Sequence, residues 1–171
     1  SGAGINLERY QMAPYPNHKR MHFLYLGRIM KEKGMDELFY TVRRLKKENE
    51  DFILDLVGFF EEEYKDQVEE LENSGIAHFY GFQSDPRMFY IEADCVVLPS
   101  YHEGMSKVLL EAAATGRPVI TSNIPGCRES VEDRKSGFLV EAKKKEMLYR
   151  AMKEMLHCSR EERARMGKRG R

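Results

Sequence analysis

A single Rossmann-like, doubly wound α/β domain, about six parallel strands with helices on both faces, is the fold predicted by this 171-residue chain. Three observations predict it. Short apolar runs alternate with longer amphipathic ones, the pattern of a parallel sheet covered by helices. The length suffices for one compact domain with a proper core and falls short of two ordinary ones. No run approaches the roughly 18 apolar residues that would cross a bilayer.

Residues 1–20, with Pro14 and Pro16 and little periodicity, read as a connecting segment, which leaves 21–171 as the domain. Strands are expected at His22–Leu26, Phe52–Val57, Ala77–Tyr80, Cys95–Leu98, Pro118–Thr121 and Gly137–Val140. Between the first two, Leu38, Phe39, Val42 and Leu45 recur at helical spacing over Asp36–Asn49, with Asp36 placed to cap the helix. The next helix opens on Glu61, Glu62 and Glu63, favourable charges at a helix start, and carries Tyr64, Val68 and Leu71 on one face. Asp85-Pro86 reads as cap and first residue of a short helix through Ile91. A helix from about Ser106 stops at Gly116, with Pro118 just beyond. A short one around Arg128–Glu132 and a last clear one over Lys144–His157 complete the series. In the common strand order 3-2-1-4-5-6, strands 1 and 4 are neighbours, and ligands bind beyond their C-terminal ends.

Composition narrows the function. Basic and acidic residues balance at 28 each, so nothing calls for nucleic acid or an anionic membrane as an obligatory partner. The basic end (Arg160, Arg163, Arg165, Lys168, Arg169, Arg171) reads as a solvated helix face, with a membrane-surface role as the alternative. Cys95, Cys127 and Cys158 are an odd, widely spaced set without a C-x-x-C pair, which argues against a disulfide framework or a zinc site. They suit a reducing, cytoplasmic setting, and Cys95 is expected as a small buried hydrophobe. No signal peptide appears at Ser1.

Chemistry concentrates in the two switch-point loops. Glu103 follows the fourth strand, and Glu111 lies eight positions on, inside the next helix. A helix N-terminus offers unpaired N–H groups to an anion, here those of Met105, Ser106 and Lys107 after Gly104. The loop after strand 1, Gly27-Arg28-Ile29-Met30-Lys31-Glu32-Lys33-Gly34, brings cations to the same edge. Gly27 admits close backbone approach, Arg28 offers a planar phosphate fork, and Lys33 adds a compact charge. Taken singly, such charges are commonly surface decoration. Glu111, however, is set among Leu109, Leu110, Ala112, Ala113 and Ala114 on a helix expected to be largely buried, where a carboxylate needs partners. Two cations, a helix N-terminus and two hydroxyl-seeking carboxylates together point to a sugar-nucleotide site.

These residues carry a resemblance. Gly2-Ala3-Gly4-Ile5-Asn6, Gly27-Arg28 with Lys33-Gly34, Glu103-Gly104-Met105-Ser106, Glu111-Ala112, Gly116-Arg117-Pro118-Val119, Pro125-Gly126 and Gly137-Phe138-Leu139-Val140 occur in order. The chain resembles the C-terminal, donor-binding half of a retaining family 4 glycosyltransferase with the two-domain glycosyltransferase-B fold. The resemblance implies that Arg28 and Lys33 neutralise the donor diphosphate as it leaves. It implies that Glu111 accepts from ribose hydroxyls, that Glu103 holds the transferred sugar, and that the Met105 and Ser106 amides contact phosphate and sugar. The base is expected near Gly81 and Phe82, although Phe82 would serve equally as a core aromatic. No cofactor or metal is expected, since no D-x-D pair is present to hold a divalent ion. His102 reads as a wall residue, because transfer in this family is thought to use the leaving phosphate to assist the acceptor.

The donor implied is a nucleoside-diphosphate sugar, a UDP-sugar first and GDP-mannose second, and the acceptor a glycan or lipid-linked sugar. Family members carry an N-terminal acceptor domain that would join at residues 1–20. The chain is therefore expected to be an excised piece of a cytoplasmic enzyme, peripheral at the inner membrane face as the further option, with little or no turnover alone. Two other readings stand beside this one: a sugar-nucleotide epimerase or hydrolase of the same architecture, and a non-catalytic donor-binding module acting with a separate partner. A dinucleotide-binding domain is disfavoured, as no G-x-G-x-x-G follows strand 1.

Overall fold

The computed structural model describes residues 8–171. The Gly2–Asn6 motif lies outside them. The strands are β1 (Met21–Leu26), β2 (Phe52–Val57), β3 (Ala77–Gly81), β4 (Cys95–Leu98), β5 (Val119–Ser122) and β6 (Gly137–Val140). The helices are α1 (Met35–Lys47), α2 (Lys65–Asn73), α3 (Arg87–Glu92), α4 (Lys107–Thr115), α5 (Lys145–His157) and α6 (Arg160–Gly170).

One sheet holds all six strands in the order β3-β2-β1-β4-β5-β6. Every pairing is parallel, with β1 aligned on β2 from Met21↔Phe52 to Leu26↔Val57, and on β4 at Phe23↔Cys95. Buried on both faces, β4 is apolar throughout as Cys-Val-Val-Leu, and Cys95 is the buried hydrophobe expected. Phe23, Tyr25, Leu54, Leu56, Val96 and Ile120 form the sheet's share of the core. Helix α1 packs on α5, and α4 on α6 and α3. The order reverses between β1 and β4, so the loops after these strands share one edge.

Several local expectations are corrected. Asp36 does not cap α1; Gly34 holds that position in left-handed conformation, and the Asp36 carboxylate accepts from the Tyr64 hydroxyl at 2.8 Å. Pro86 itself is the N-cap of α3, while Asp85 accepts from the Arg87 backbone at 3.3 Å. Arg128–Ser130 forms a 3-10 turn, and Glu62–Tyr64 forms another leading into α2. The basic end is a helix face as expected but not a wholly solvated one: α6 opens on a capping box between Ser159 and Glu162, buries Met166 and Gly167, and turns Arg163 and Arg171 onto Tyr15 and Ala114.

Residues 8–20 contain no helix or strand, as a connector should, yet they are bolted to the domain. Tyr10 is buried, edge-on to Tyr90 at 5.8 Å. Arg117, only 1% exposed, donates to the carbonyls of Ala13 and Pro14, and to those of Tyr90 and Ile91 in α3 and Thr115 in α4. One guanidinium thus satisfies C-terminal carbonyls of two helices and anchors the connector. Burial pulls its pKa below the usual arginine value. Arg160 and Arg163 complete the attachment by donating to the Tyr15 carbonyl and hydroxyl, at 2.6 and 3.0 Å.

Candidate functional site

The loops after β1 and β4 touch because one residue between them lacks a side chain. At Gly34, φ is +80°, and a Cβ would stand 2.0 Å from the Pro99 carbonyl oxygen. Beyond that contact the Tyr101 N–H donates to the Glu32 carbonyl at 2.8 Å, and the Tyr101 hydroxyl donates to the Glu37 carboxylate in α1. This stitching sets Lys33 opposite Glu103. Lys33 Nζ donates to Glu103 Oε1 at 2.6 Å, and the Ser100 hydroxyl donates to the same oxygen at 2.8 Å.

A third loop packs against the backbone of Glu103 and Gly104. Gly126, φ +91°, approaches so closely that a Cβ would lie 2.0 Å from the Gly104 carbonyl oxygen. The Ser106 N–H donates to the Gly126 carbonyl at 3.1 Å, which corrects one expectation: that amide is committed within the protein. Among the described residues the Met105 amide has no such acceptor, and the Met105 side chain is exposed. The Ser106 side chain caps α4 by accepting from the Leu109 N–H at 3.2 Å. Burial pushes the nearby Cys127 thiol up, with the charges of Glu103 and Lys33 acting on it in opposite senses.

Arg28 occupies the same edge but a different position. Its guanidinium is exposed and 3.6 Å from Glu61, and no direct contact joins it to Lys33 or Glu103. The Tyr25 hydroxyl donates to the Arg28 carbonyl at 2.6 Å. Burial first, and the Glu103 charge second, raise that phenol's pKa, which places Glu103 within electrostatic reach. Gly27, Arg28 and Phe82 line a cavity of about 230 Å³ with Leu26, Val57, Gly58, Phe59 and Gln83. Phe82 is therefore no core aromatic; its ring is exposed and stacked on Phe59. Phe59 escaped the sequence reading because Gly58-Phe59-Phe60 reads as a strand end, and nothing in it says which ring turns outward.

Glu111 is 7% exposed, as its apolar surroundings predicted. Its neighbours are phenols: burial first and the Glu111 charge next raise the pKa of Tyr10 and of Tyr90. The buried Tyr90 hydroxyl has no hydrogen-bond partner. Tyr10 also lines a cavity of about 500 Å³ between the connector and α3. The structure thus pairs Lys33 with Glu103, strings Gly27, Arg28 and Phe82 along one edge, and sets Glu111 a turn inside α4. His102 is exposed beside Glu103. Among the described residues no group of three or more His, Cys, Asp or Glu is arranged to hold a metal ion.

A six-stranded parallel sheet with this order, its switch-point loops joined by a cation and a carboxylate, defines a doubly wound, Rossmann-like domain. Solved structures agree on the fold. Sucrose-phosphate synthase from Thermosynechococcus elongatus superposes with a TM-score of 0.83 at 24% identity, over 98% of this chain and 45% of that one. The C-terminal domain of the group 1 family protein LpcC from Francisella tularensis gives 0.78 at 24%, over 98% and 94%. HepE from Anabaena, solved in complex with UDP-glucose, gives 0.82 at 19%, over 98% and 50%. Residues 9–171 match the family of glycosyl transferases group 1, and the chain belongs to it.

Curated relatives include the capsular polysaccharide biosynthesis glycosyltransferase CapM of Staphylococcus aureus, 31% identical over 82% of this chain. Another is the N,N'-diacetylbacillosaminyl-diphospho-undecaprenol alpha-1,3-N-acetylgalactosaminyltransferase of Campylobacter jejuni, 30% identical over 82%. The chain spans 40% of the length of each.

Proposed function

We propose that this chain is the donor-binding domain of a retaining family 4 glycosyltransferase. It takes a nucleoside-diphosphate sugar, UDP-linked first and GDP-mannose second, and serves transfer to a glycan or lipid-linked acceptor. The observation that carries this reading is the Lys33–Glu103 pair at 2.6 Å, which joins the two loops a donor would bridge. Arg28 and Lys33 neutralise the diphosphate, and their attraction grows as the glycosidic bond breaks and negative charge gathers on the leaving group. Those cations take the place of a divalent ion. Glu103 accepts from hydroxyls of the transferred sugar, Glu111 from the ribose, and the Met105 amide, with Gly104 allowing the approach, faces the phosphate. The base lies beside Phe82.

The acceptor is held by a further domain joined through residues 1–20, in keeping with the 40% of its relatives' length that the chain spans. Without that domain the reactants are not brought together, so residues 1–171 bind donor and turn over little or nothing. The whole enzyme acts in the cytoplasm, peripheral to the membrane where its acceptor is lipid-linked. No helix among the described residues is long and apolar enough to cross a membrane.

Calorimetric titration with UDP, GDP, ADP and their sugars tests the reading, on the native sequence and on Glu111→Ala. One nucleoside diphosphate is expected to bind, and the variant to lose most of that affinity. Equal, weak binding of all three to both proteins would overturn it.

A further inference from the structure

Two phenylalanines stand out from the core at the C-terminal edge of the sheet. Phe59, after β2, and Phe82, after β3, are 59% and 60% exposed. Their rings lie parallel, within 1°, with centroids 5.1 Å apart. Neighbours in sequence behave oppositely: Phe60 and Phe79 meet at 5.2 Å and pack against the core. The outer pair is thus a separate feature, not an overflow of the core. Full burial of one such ring is worth about 1.5–3 kcal/mol. Their mutual contact recovers about 0.5–1.5 kcal/mol. Folding alone gives no reason to hold both in water.

Phe59 is also registered to the proposed phosphate site. The Ile29 N–H donates to the Phe59 carbonyl at 2.7 Å, and the Glu61 N–H donates to the Ile29 carbonyl at 3.0 Å. The backbone beneath Phe59 is therefore zipped to the residue following Arg28. Around the same 230 Å³ cavity stand a flat apolar ledge and an exposed guanidinium. Such a surface suits a ligand with a planar face at one end and an anion at the other.

We infer that Phe59 is a base-binding residue, acting with Phe82 as a two-ring clamp on the nucleobase of the donor. In the unliganded protein each ring occupies the stacking face of the other, and a base replaces that contact. The inference rests on the donor reading above and adds a side-chain contact from the β2 loop. Stacking accepts any π-face, so the clamp supplies affinity, while choice among bases falls to groups around Gly81.

The test uses residues 1–171 with UDP, GDP and ADP as nucleotide probes and inorganic pyrophosphate as the base-free probe. Loss of a base–aromatic stack predicts that Phe59→Ala weakens the nucleoside diphosphate that binds by about 5- to 150-fold. Pyrophosphate affinity should stay within twofold. Phe59→Trp retains the stack and introduces the only tryptophan, since the chain has none. Its fluorescence should be quenched by the nucleotide and not by pyrophosphate. Unchanged nucleotide affinity in Phe59→Ala, or no quenching of Phe59→Trp at saturating nucleotide, overturns the clamp. If Arg28→Ala still loses binding in that case, the donor reading survives without it. If the native chain binds none of the three nucleotides, the donor reading fails and the clamp with it.

Discussion

Lys33 and Glu103, 70 positions apart in sequence, share a 2.6 Å hydrogen bond at the point where the sheet reverses direction. Both hydrogen bonds on the carboxylate, from Lys33 and from Ser100, fall on Oε1, so its orientation is fixed while Oε2 is left to other donors. The pair is partly buried, which protects it from the screening that weakens exposed ion pairs. A carboxylate held this way is ready to accept from a hydroxyl without first being reoriented.

Glu103→Gln is the cleanest probe of that role. The amide oxygen can still accept from Ser100 and Lys33, but the second position becomes a donor. The expected outcome is that the nucleoside diphosphate found to bind does so as before, while the extra affinity of its matching sugar nucleotide disappears. A hydrogen bond to a charged group is worth about 1.5–3 kcal/mol, or roughly 10- to 150-fold. Calorimetry with the two ligands measures the difference directly.

If Arg28 grips the donor diphosphate as proposed, Glu61 competes with that ligand for it. With the guanidinium 3.6 Å away and both side chains exposed, the competition is weak. Glu61→Gln should therefore tighten nucleoside diphosphate binding by no more than about fivefold, and the gain should shrink as salt is raised. Titrations at low and high salt would show it, and a loss of affinity would mean that Glu61 helps to hold the ligand.

Arg117→Met should destabilise the domain far more than an ordinary substitution. It strands carbonyls of the connector and of two helix ends, at about 1–3 kcal/mol for each buried group left unpaired. A total above about 4 kcal/mol is expected, allowing for water reaching some of them. Urea denaturation should show a lowered midpoint with an unchanged slope. Arg117→Lys should not restore it, since one ammonium cannot span three chain segments.

The strands were legible because the periodicity was, as in the apolar run Cys95-Val96-Val97-Leu98; their order was not, and it came from the commonest doubly wound arrangement, which the sheet follows. The switch-point rule then placed Lys33 and Glu103 on one edge before any distance was known. What escaped was contact without pattern. Asp36 looked like a cap, but Gly34, in a conformation its sequence position does not advertise, took the role and freed Asp36 for Tyr64. The Ser106 amide looked available until the Pro125-Gly126 turn claimed it. Helix α6 was legible as a basic helix face, but its charge hid that it buries Met166 and Gly167, and only the Ser159–Glu162 box marks its start. Phe59 carried no signal, because exposure is decided by tertiary packing.

A histidine far from the donor edge should govern how stability responds to pH. His22 Nδ1 lies 2.8 Å from Asp55 Oδ2, its ring touches His18, and its backbone N–H donates to Asp94. The hydrogen bond to Asp55 raises the His22 pKa above its ordinary 6.5; burial opposes this, and the charges of Asp55, Asp94 and Glu92 reinforce it. A folded-state value above the unfolded one means stability fully present below about pH 6.5 and lost as pH rises through the folded value. The unfolding free energy of the native sequence should thus decline as pH rises above about 6.5. His22→Asn, which cannot take up the proton, should be flatter across the same range. Urea melts at half-unit intervals in both proteins measure the difference, and parallel curves would remove His22 from the account.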